Sequence, residues 1–214
     1  MFFASIEINN SEIARIFQCK DGPAPALGRC WSVSMGKFFS ELAPGHQEFI
    51  QNQQIFFVAT APKEGRINLS PKGYQSFLVL GPNQVAFVNL VGSGNETAGH
   101  LLEDKRITVM FCAFEGNPLI MKIYGRGRSI HPGQPDWNEL DARFPPHPGK
   151  RQIVLIEVES VQTSCGEGVP LFDYVQDRNN LLQWAINKGE QGVANYQDKN
   201  NRLTIDGKPT GLPD

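Results

Sequence analysis

Two side chains that could hold an anion follow a short stretch of alternating residues. Ser70 and Lys72 lie in the sequence SPKG, directly after the β-type pattern of residues 66–70. A hydroxyl and an ammonium group at the end of a strand can together hold a phosphate. The same four residues also suit a tight turn with a solvated lysine. The segment is therefore either part of an anion site or an ordinary turn.

A second candidate is the glycine-rich loop GSGNET at residues 92–97, between a predicted strand and a short predicted helix. Asn95 or Thr97 can cap that helix, and free backbone N–H groups at its start attract anions. Thr97 replaces the third glycine of a dinucleotide fingerprint, and the helix pattern is too short for a βαβ crossover. The loop is either a capped helix start or a place where a ligand approaches the backbone.

A third candidate is the pair Arg126 and Arg128 in the sequence YGRGR. On a strand these two arginines share one face, and the glycines beside them leave space. They are either charges near a ligand or two exposed arginines. No set of His and Cys residues has the spacing of a zinc site, and no side chain qualifies as a general acid or base. Neither a metal ligand nor a catalytic residue is therefore predicted.

The elements that must position these residues are mainly β-strands. Runs rich in β-branched and aromatic residues are broken by short turns that contain Gly and Pro, which indicates antiparallel hairpins of a barrel or sandwich. Strands are predicted at residues 55–61, 66–70, 77–80, 84–90, 107–113, 119–129 and 153–161. Short helices are predicted at 97–104 and 137–143, and a longer amphipathic helix at 172–188. The order of strands first and helices after favours a mainly β (α+β) fold over βαβ alternation.

The composition supports this assignment and excludes several classes of protein. Gly and Pro together number 21 + 15 = 36 of 214 residues, a larger share than the average of about 12%. The net charge of 20 − 22 = −2 argues against a partner that is a nucleic acid. No apolar run approaches the ~18 residues of a membrane-spanning helix. No membrane partner is therefore predicted.

The cysteines and the first residues indicate the compartment and a boundary. Four scattered cysteines without a secretory signal suggest reduced thiols and a cytoplasmic location. Residues 1–34 differ in composition from the rest, while the sequence from Met35 looks like a natural protein start. Residues 1–34 are therefore expected to be a disordered extension or to reflect a mis-called translation start.

The order of the motifs resembles the pyridoxamine 5′-phosphate oxidase-like family of FMN-binding split barrels. The segments are FVATA, NLSPKG, GN, RITVMF and YGRG, starting at residues 57, 68, 94, 106 and 124. The SPKG, GSGNET and SCGEGVP segments are similar to one branch of that family. The resemblance implies a six-stranded antiparallel Greek-key split barrel with short peripheral helices and a C-terminal helix. It places the FMN-binding barrel at residues 35–165 and a C-terminal helical extension, packed on the barrel, at 166–214.

The resemblance also implies a homodimer that holds FMN in a groove between its two subunits. Relatives that hold FMN tightly carry a basic residue at or next to the position of Glu96, so this carboxylate is expected to weaken phosphate binding unless Lys72 or Arg126 neutralises it. The positions that match the family's cofactor contacts are Thr60, Asn68, Ser70, Lys72, Asn95, Thr97 and Arg126.

The function implied by the resemblance is that of an FMN-dependent oxidoreductase with an unknown small-molecule substrate. The C-terminal part lacks the substrate-recognition ending of authentic pyridoxamine 5′-phosphate oxidases, so oxidation of vitamin B6 is not expected. Two alternatives stay open on the same fold. One is a non-catalytic carrier or sensor that binds flavin or haem, and the other is a deazaflavin-dependent reductase.

Overall fold

The computed structural model describes residues 36–213. The predicted extension at residues 1–34 lies outside the described residues, and the domain limits drawn from the resemblance remain predictions. Within the described part of the chain, no helix is both long enough and apolar enough to cross a membrane.

Eight strands form one sheet in which every pair of neighbours is antiparallel. Their order is β3-β2-β6-β7-β8-β5-β4, and β1 also pairs with β8. The long strand β8 therefore has three partners, β7, β5 and β1, along its length. The strands are β1 (Lys37–Phe39), β2 (Phe56–Thr60), β3 (Asn68–Lys72), β4 (Phe77–Gly81), β5 (Gln84–Leu90), β6 (Arg106–Cys112), β7 (Ile120–Ile130) and β8 (Lys150–Ser164).

Four helices accompany the sheet in the described residues. Three are short: α1 (Pro44–Gln51), α2 (Glu96–Glu103) and α3 (Trp137–Asp141). The fourth, α4 (Asn180–Asn201), is kinked at Gly189, whose φ of 64° lies outside the helical region. Glycine adopts this left-handed conformation without the steric penalty that a side chain brings.

The core lies on both faces of β8. Val154 and Ile156 belong to one cluster of buried apolar side chains, and Ile153 and Leu155 belong to a second. Because successive side chains of a strand point to opposite faces, a strand buried on both faces is an unbroken apolar run. The sequence IVLI at residues 153–156 has this pattern.

The predicted mainly β split-barrel fold with short peripheral helices and a C-terminal helix is confirmed. The sheet contains eight strands where the resemblance implied six, and β1, with three residues, is too short to give a recognisable alternation. The helix predicted at 172–188 begins only at Asn180. The backbone N–H of Phe172 donates instead to Phe114 O, and that of Tyr174 donates to the carboxylate of Glu115. These bonds hold the chain before α4 in an extended form.

Candidate functional site

A groove of about 850 Å³ lies beside β3, at the edge of the sheet. Its walls are β3, the end of β5, the loop at 91–95, the start of α2 and the C-terminal residues 203–205. Its volume falls within the range of about 300–1,000 Å³ that is typical of small-molecule sites. The groove therefore gathers segments from four distant parts of the sequence.

Strand β3 turns its polar face toward this groove. Asn68, Ser70 and Lys72 alternate with Leu69 and Pro71, and the three polar residues are partly buried while the other two are exposed. The period of two along a strand produces this alternation. The motif that was predicted as an anion site or a turn is thus the end of a strand, with Ser70 and Lys72 on the same face.

An amide network joins β3 to the glycine-rich loop. The Lys72 ammonium donates to Asn89 Oδ1 at 3.0 Å, and Asn89 Nδ2 donates to Asn95 Oδ1 at 3.4 Å. Gln152 Nε2 donates to the same Asn95 oxygen at 2.7 Å. Asn95 is 1% exposed, so its side chain is fixed inside the protein rather than free to cap α2.

A buried arginine from β8 supports the same loop. Arg151 is 3% exposed, and its Nη1 donates to Gly94 O at 2.9 Å and to Asn201 Oδ1 at 2.6 Å. Asn201, at the end of α4, donates from Nδ2 to Gly92 O at 3.0 Å. One amide of the C-terminal helix therefore orients both the guanidinium and the loop.

Two largely buried cations of the groove, Lys72 and Arg151, lack a carboxylate partner within the described chain. Burial, with a smaller effect from Arg151, lowers the pKa of Lys72 to about 8, and burial lowers the pKa of Arg151 to about 10. Among residues 36–213, neither side chain forms an ion pair with a carboxylate. Two poorly solvated positive charges make this end of the groove attractive to an anion.

Several polar atoms along the groove also lack a hydrogen-bond partner in the described part of the chain. They are Ser70 Oγ, Asn95 Nδ2 and Arg151 Nε, all of them buried. A buried donor without an acceptor costs about 1–3 kcal/mol. Together with the two cations, these unpaired donors fit a ligand that carries a phosphate.

The structure brings together most of the predicted site residues. Asn68, Ser70, Lys72, Asn95 and Thr97 all line the groove, and Asn68 Nδ2 donates to Thr97 Oγ1 at 3.2 Å. These contacts tie β3 to the first turn of α2.

The other two predicted residues occupy different positions. Thr60 is buried in β2, and its hydroxyl is hydrogen-bonded over 3.1 Å to Nδ1 of His100, which itself lines the groove. Arg126 is exposed on β7 and does not belong to the groove wall. A role for Arg126 in binding a cofactor remains a prediction.

Glu96 is held by the C-terminal segment. Both of its carboxylate oxygens lie 3.1 Å from the backbone nitrogen of Ile205, which donates to them. Arg151 reaches the same loop at a different atom, Gly94 O. The carboxylate therefore has a structural partner inside the same groove.

Sequence reasoning missed the residues that complete this site. Arg151 and Gln152 directly precede the apolar run at 153–156, and a charged residue joined to a buried strand is a recognisable signal of a buried polar site. Asn89, His100 and Asn201 gave no comparable signal. No group of His, Cys, Asp and Glu within residues 36–213 is arranged to hold a metal ion.

Comparison with known proteins gives consistent matches. The family model for pyridoxamine 5′-phosphate oxidase matches residues 42–165. Pyridoxamine 5′-phosphate oxidase family protein ustO from Aspergillus flavus is 36% identical over 199 residues, which cover 80% of this chain and 76% of that protein.

Solved structures with a similar chain path are more distant. A putative pyridoxamine 5′-phosphate oxidase from Lactobacillus delbrueckii is 16% identical with a TM-score of 0.47, covering 57% of this chain and 94% of its own. HupZ from Group A Streptococcus is 18% identical with a TM-score of 0.44, covering 56% and 90%.

Proposed function

Because the chain belongs to the pyridoxamine 5′-phosphate oxidase family, we propose that it binds FMN in the groove beside β3 and acts as an oxidoreductase on a small molecule. The observation that carries the proposal is the coincidence of two uncompensated cations, Lys72 and Arg151, with buried donors that lack acceptors. A phosphate group supplies both the negative charge and the acceptor atoms.

The phosphate end of the ligand would lie against the residues that combine charge with free donors. Lys72 and Arg151 would balance its charge, while Ser70 Oγ and Asn95 Nδ2 would donate hydrogen bonds. The Asn68–Thr97 hydrogen bond supports this arrangement by fixing α2 against β3. Bound FMN would supply hydride-transfer chemistry, and the protein would supply position and electrostatics.

We also propose that a second copy of the chain covers the groove. Ile67 and Leu69 are 77% and 65% exposed at the outer edge of the sheet, next to the groove. Exposed apolar side chains of this size on an edge strand are suited to burial in an interface. The exposed Arg126 of one subunit could then approach the ligand of the other. Light scattering after gel filtration tests this proposal, and the expected mass is twice 23.8 kDa.

The cofactor proposal is tested by the absorbance spectrum of the purified protein before and after addition of excess FMN and desalting. We expect flavin bands that survive desalting in the wild type and are lost in Lys72→Ala. Exposed Lys37 provides a matched control, because Lys37→Ala removes the same side chain away from the groove. A wild-type protein that stays colourless after desalting would contradict FMN binding.

A non-catalytic flavin carrier is the second candidate. The hydrogen bonds of the groove favour it. His100 is hydrogen-bonded to Thr60, and Glu96 accepts from the Ile205 N–H. These two side chains could otherwise transfer a proton to a substrate, and both already have partners within the protein. Reduction of the bound flavin by NAD(P)H, followed by reoxidation by a small-molecule acceptor, would support the oxidoreductase. A flavin that neither NAD(P)H nor any screened substrate reduces would support the carrier.

A further inference from the structure

A second, smaller cavity of about 240 Å³ adjoins the proposed flavin groove. Tyr74, Ser76, Val88 and Leu90 line both spaces, so a molecule in the small cavity lies next to whatever occupies the groove. The far wall consists of Phe144, Pro145, Pro146, His147, Lys150, Asp177 and Leu182. At about 30 Å³ for each water molecule, the cavity has the volume of about eight waters.

The lining of this cavity suits a neutral, mainly apolar molecule. Most of its walls are aliphatic, aromatic or proline side chains. The Lys150 ammonium is paired with the Asp141 carboxylate at 2.6 Å, so its charge is already balanced. Asp177 adds a negative charge to the lining, which disfavours an anionic ligand.

His147 provides a hydrogen-bond donor at the same wall. Its Nδ1 accepts from the backbone N–H of Gly149 at 2.9 Å, so the neutral ring carries its proton on Nε2. Burial, with a smaller effect from Lys150, lowers the pKa of His147 and keeps the ring neutral at pH 7. Nε2 is buried and has no partner among residues 36–213. This N–H therefore needs an acceptor.

The partition between the two spaces has an unusual backbone. Tyr74 and Gln75 have φ values of 60° and 50°, a left-handed conformation that is uncommon outside glycine. Such conformations cost about 1–3 kcal/mol each and cluster at ligand sites. The Tyr74 hydroxyl donates to Arg178 O, and the Tyr74 and His147 rings form a T-shaped pair with centroids 5.8 Å apart. The strained pair thus places an aromatic ring between cavity and groove.

We propose that this cavity binds the substrate, a small, neutral, mainly apolar carbonyl compound whose oxygen accepts a hydrogen bond from His147. The substrate role rests on the proposed flavin function, because it places the molecule next to the flavin groove. The cavity's binding preference is a separate property that can be measured without flavin.

The experiment uses the full-length protein without flavin and two probes, acetophenone and ethylbenzene. The probes have similar shapes, but only acetophenone carries an acceptor oxygen. Dissociation constants are measured by NMR titration, with the His147 Nε2 resonance followed directly. We expect acetophenone to shift that resonance. We expect His147→Phe to weaken acetophenone binding about tenfold while ethylbenzene binding changes little, since only acetophenone loses a hydrogen bond to the protein and an aromatic ring is kept.

A second variant keeps the proposal testable if His147→Phe does not fold. Leu182→Trp enlarges another side chain of the cavity lining without altering the donor, and we expect it to abolish binding of both probes. Equal acetophenone affinity in wild type and His147→Phe, an unshifted Nε2 resonance, or full binding by Leu182→Trp would each overturn the proposal.

The same preparations are tested for retention of FMN, so the two proposals can fail separately. Normal FMN retention without the expected probe binding refutes the cavity assignment alone. Probe binding as expected in a protein that retains no FMN refutes the flavin function, and with it the role of the cavity as a substrate site beside a flavin.

Discussion

Replacing Asn201 with aspartate tests whether Arg151 serves the phosphate of the proposed cofactor. Asn201 Oδ1 lies 2.6 Å from Arg151 Nη1, and both residues are buried. Asn201→Asp keeps an acceptor at this place but gives it a negative charge. Two opposite charges about 4 Å apart at an effective dielectric of about 20 attract each other by about 4 kcal/mol. The guanidinium is then neutralised by its own neighbour.

The expected effect is a selective loss of affinity for FMN. Hydrogen bonds to a charged group contribute about 1.5–3 kcal/mol, so losing this contribution raises the FMN dissociation constant about 10- to 150-fold. Riboflavin has the same ring system without the phosphate, and its affinity is expected to change less than about threefold. Isothermal titration calorimetry with both ligands measures the ratio directly.

A matched control places the same charge elsewhere on the same helix. Asn195 is exposed, lies outside the groove wall and accepts from Gln191 Nε2, so Asn195→Asp adds a charge to α4 without touching Arg151. FMN affinity is expected to stay within about threefold of wild type in this control. If Asn201→Asp weakens FMN and riboflavin equally, Asn201 acts only through the shape of the groove. If FMN binding is unchanged, Arg151 does not contact the phosphate.

Three further outcomes are expected. FMN affinity falls as pH rises through about 8, because burial lowers the pKa of Lys72 to about 8 and the unliganded protein then loses this proton. Titrations with FMN at several pH values should show no such fall for Lys72→Arg, because arginine stays charged. Glu96→Gln changes FMN affinity less than about threefold, because the Glu96 carboxylate already accepts from the Ile205 N–H. If calorimetry shows that the variant binds FMN more than about tenfold more tightly, the carboxylate repels the ligand in the wild type. Gly99→Ala lowers the free energy of unfolding by about 1–3 kcal/mol, because the new Cβ would lie 2.4 Å from Thr204 Cγ2 and this clash outweighs the gain in helix propensity. A urea denaturation curve identical to that of the wild type would refute this packing.

The sequence revealed those parts of the site that are local. The alternation predicted a strand at residues 66–70, which places Asn68 and Ser70 on one face. Strand β3 continues past that predicted end to Lys72, so the lysine joins the same face. Thr97, the last residue of the GSGNET segment, lies in the first turn of a helix whose beginning the pattern predicted within one residue.

The remaining parts depend on contacts between distant segments. Arg151 meets Gly94 across 57 residues of sequence, and Asn201 meets Gly92 across 109, so no local pattern links them. The start of α4 was misplaced for the same reason, because Phe172 bonds to a carbonyl of the β6–β7 connection rather than within a helix. Arg126 was chosen from its local motif, and its exposed position on β7 reflects the pairing of strands that the motif does not specify.

The contact of Asn201 with the glycine-rich loop has a consequence for folding kinetics. The hydrogen bonds Asn201–Gly92 and Ile205–Glu96 each close a loop of 109 residues, and contacts of such long range form late because the chain entropy must be lost before they stabilise anything. The hairpin β4–β5, in contrast, joins neighbouring segments. During refolding the sheet can therefore assemble before the anion site exists, and recovery of ligand affinity marks the completion of folding rather than its onset.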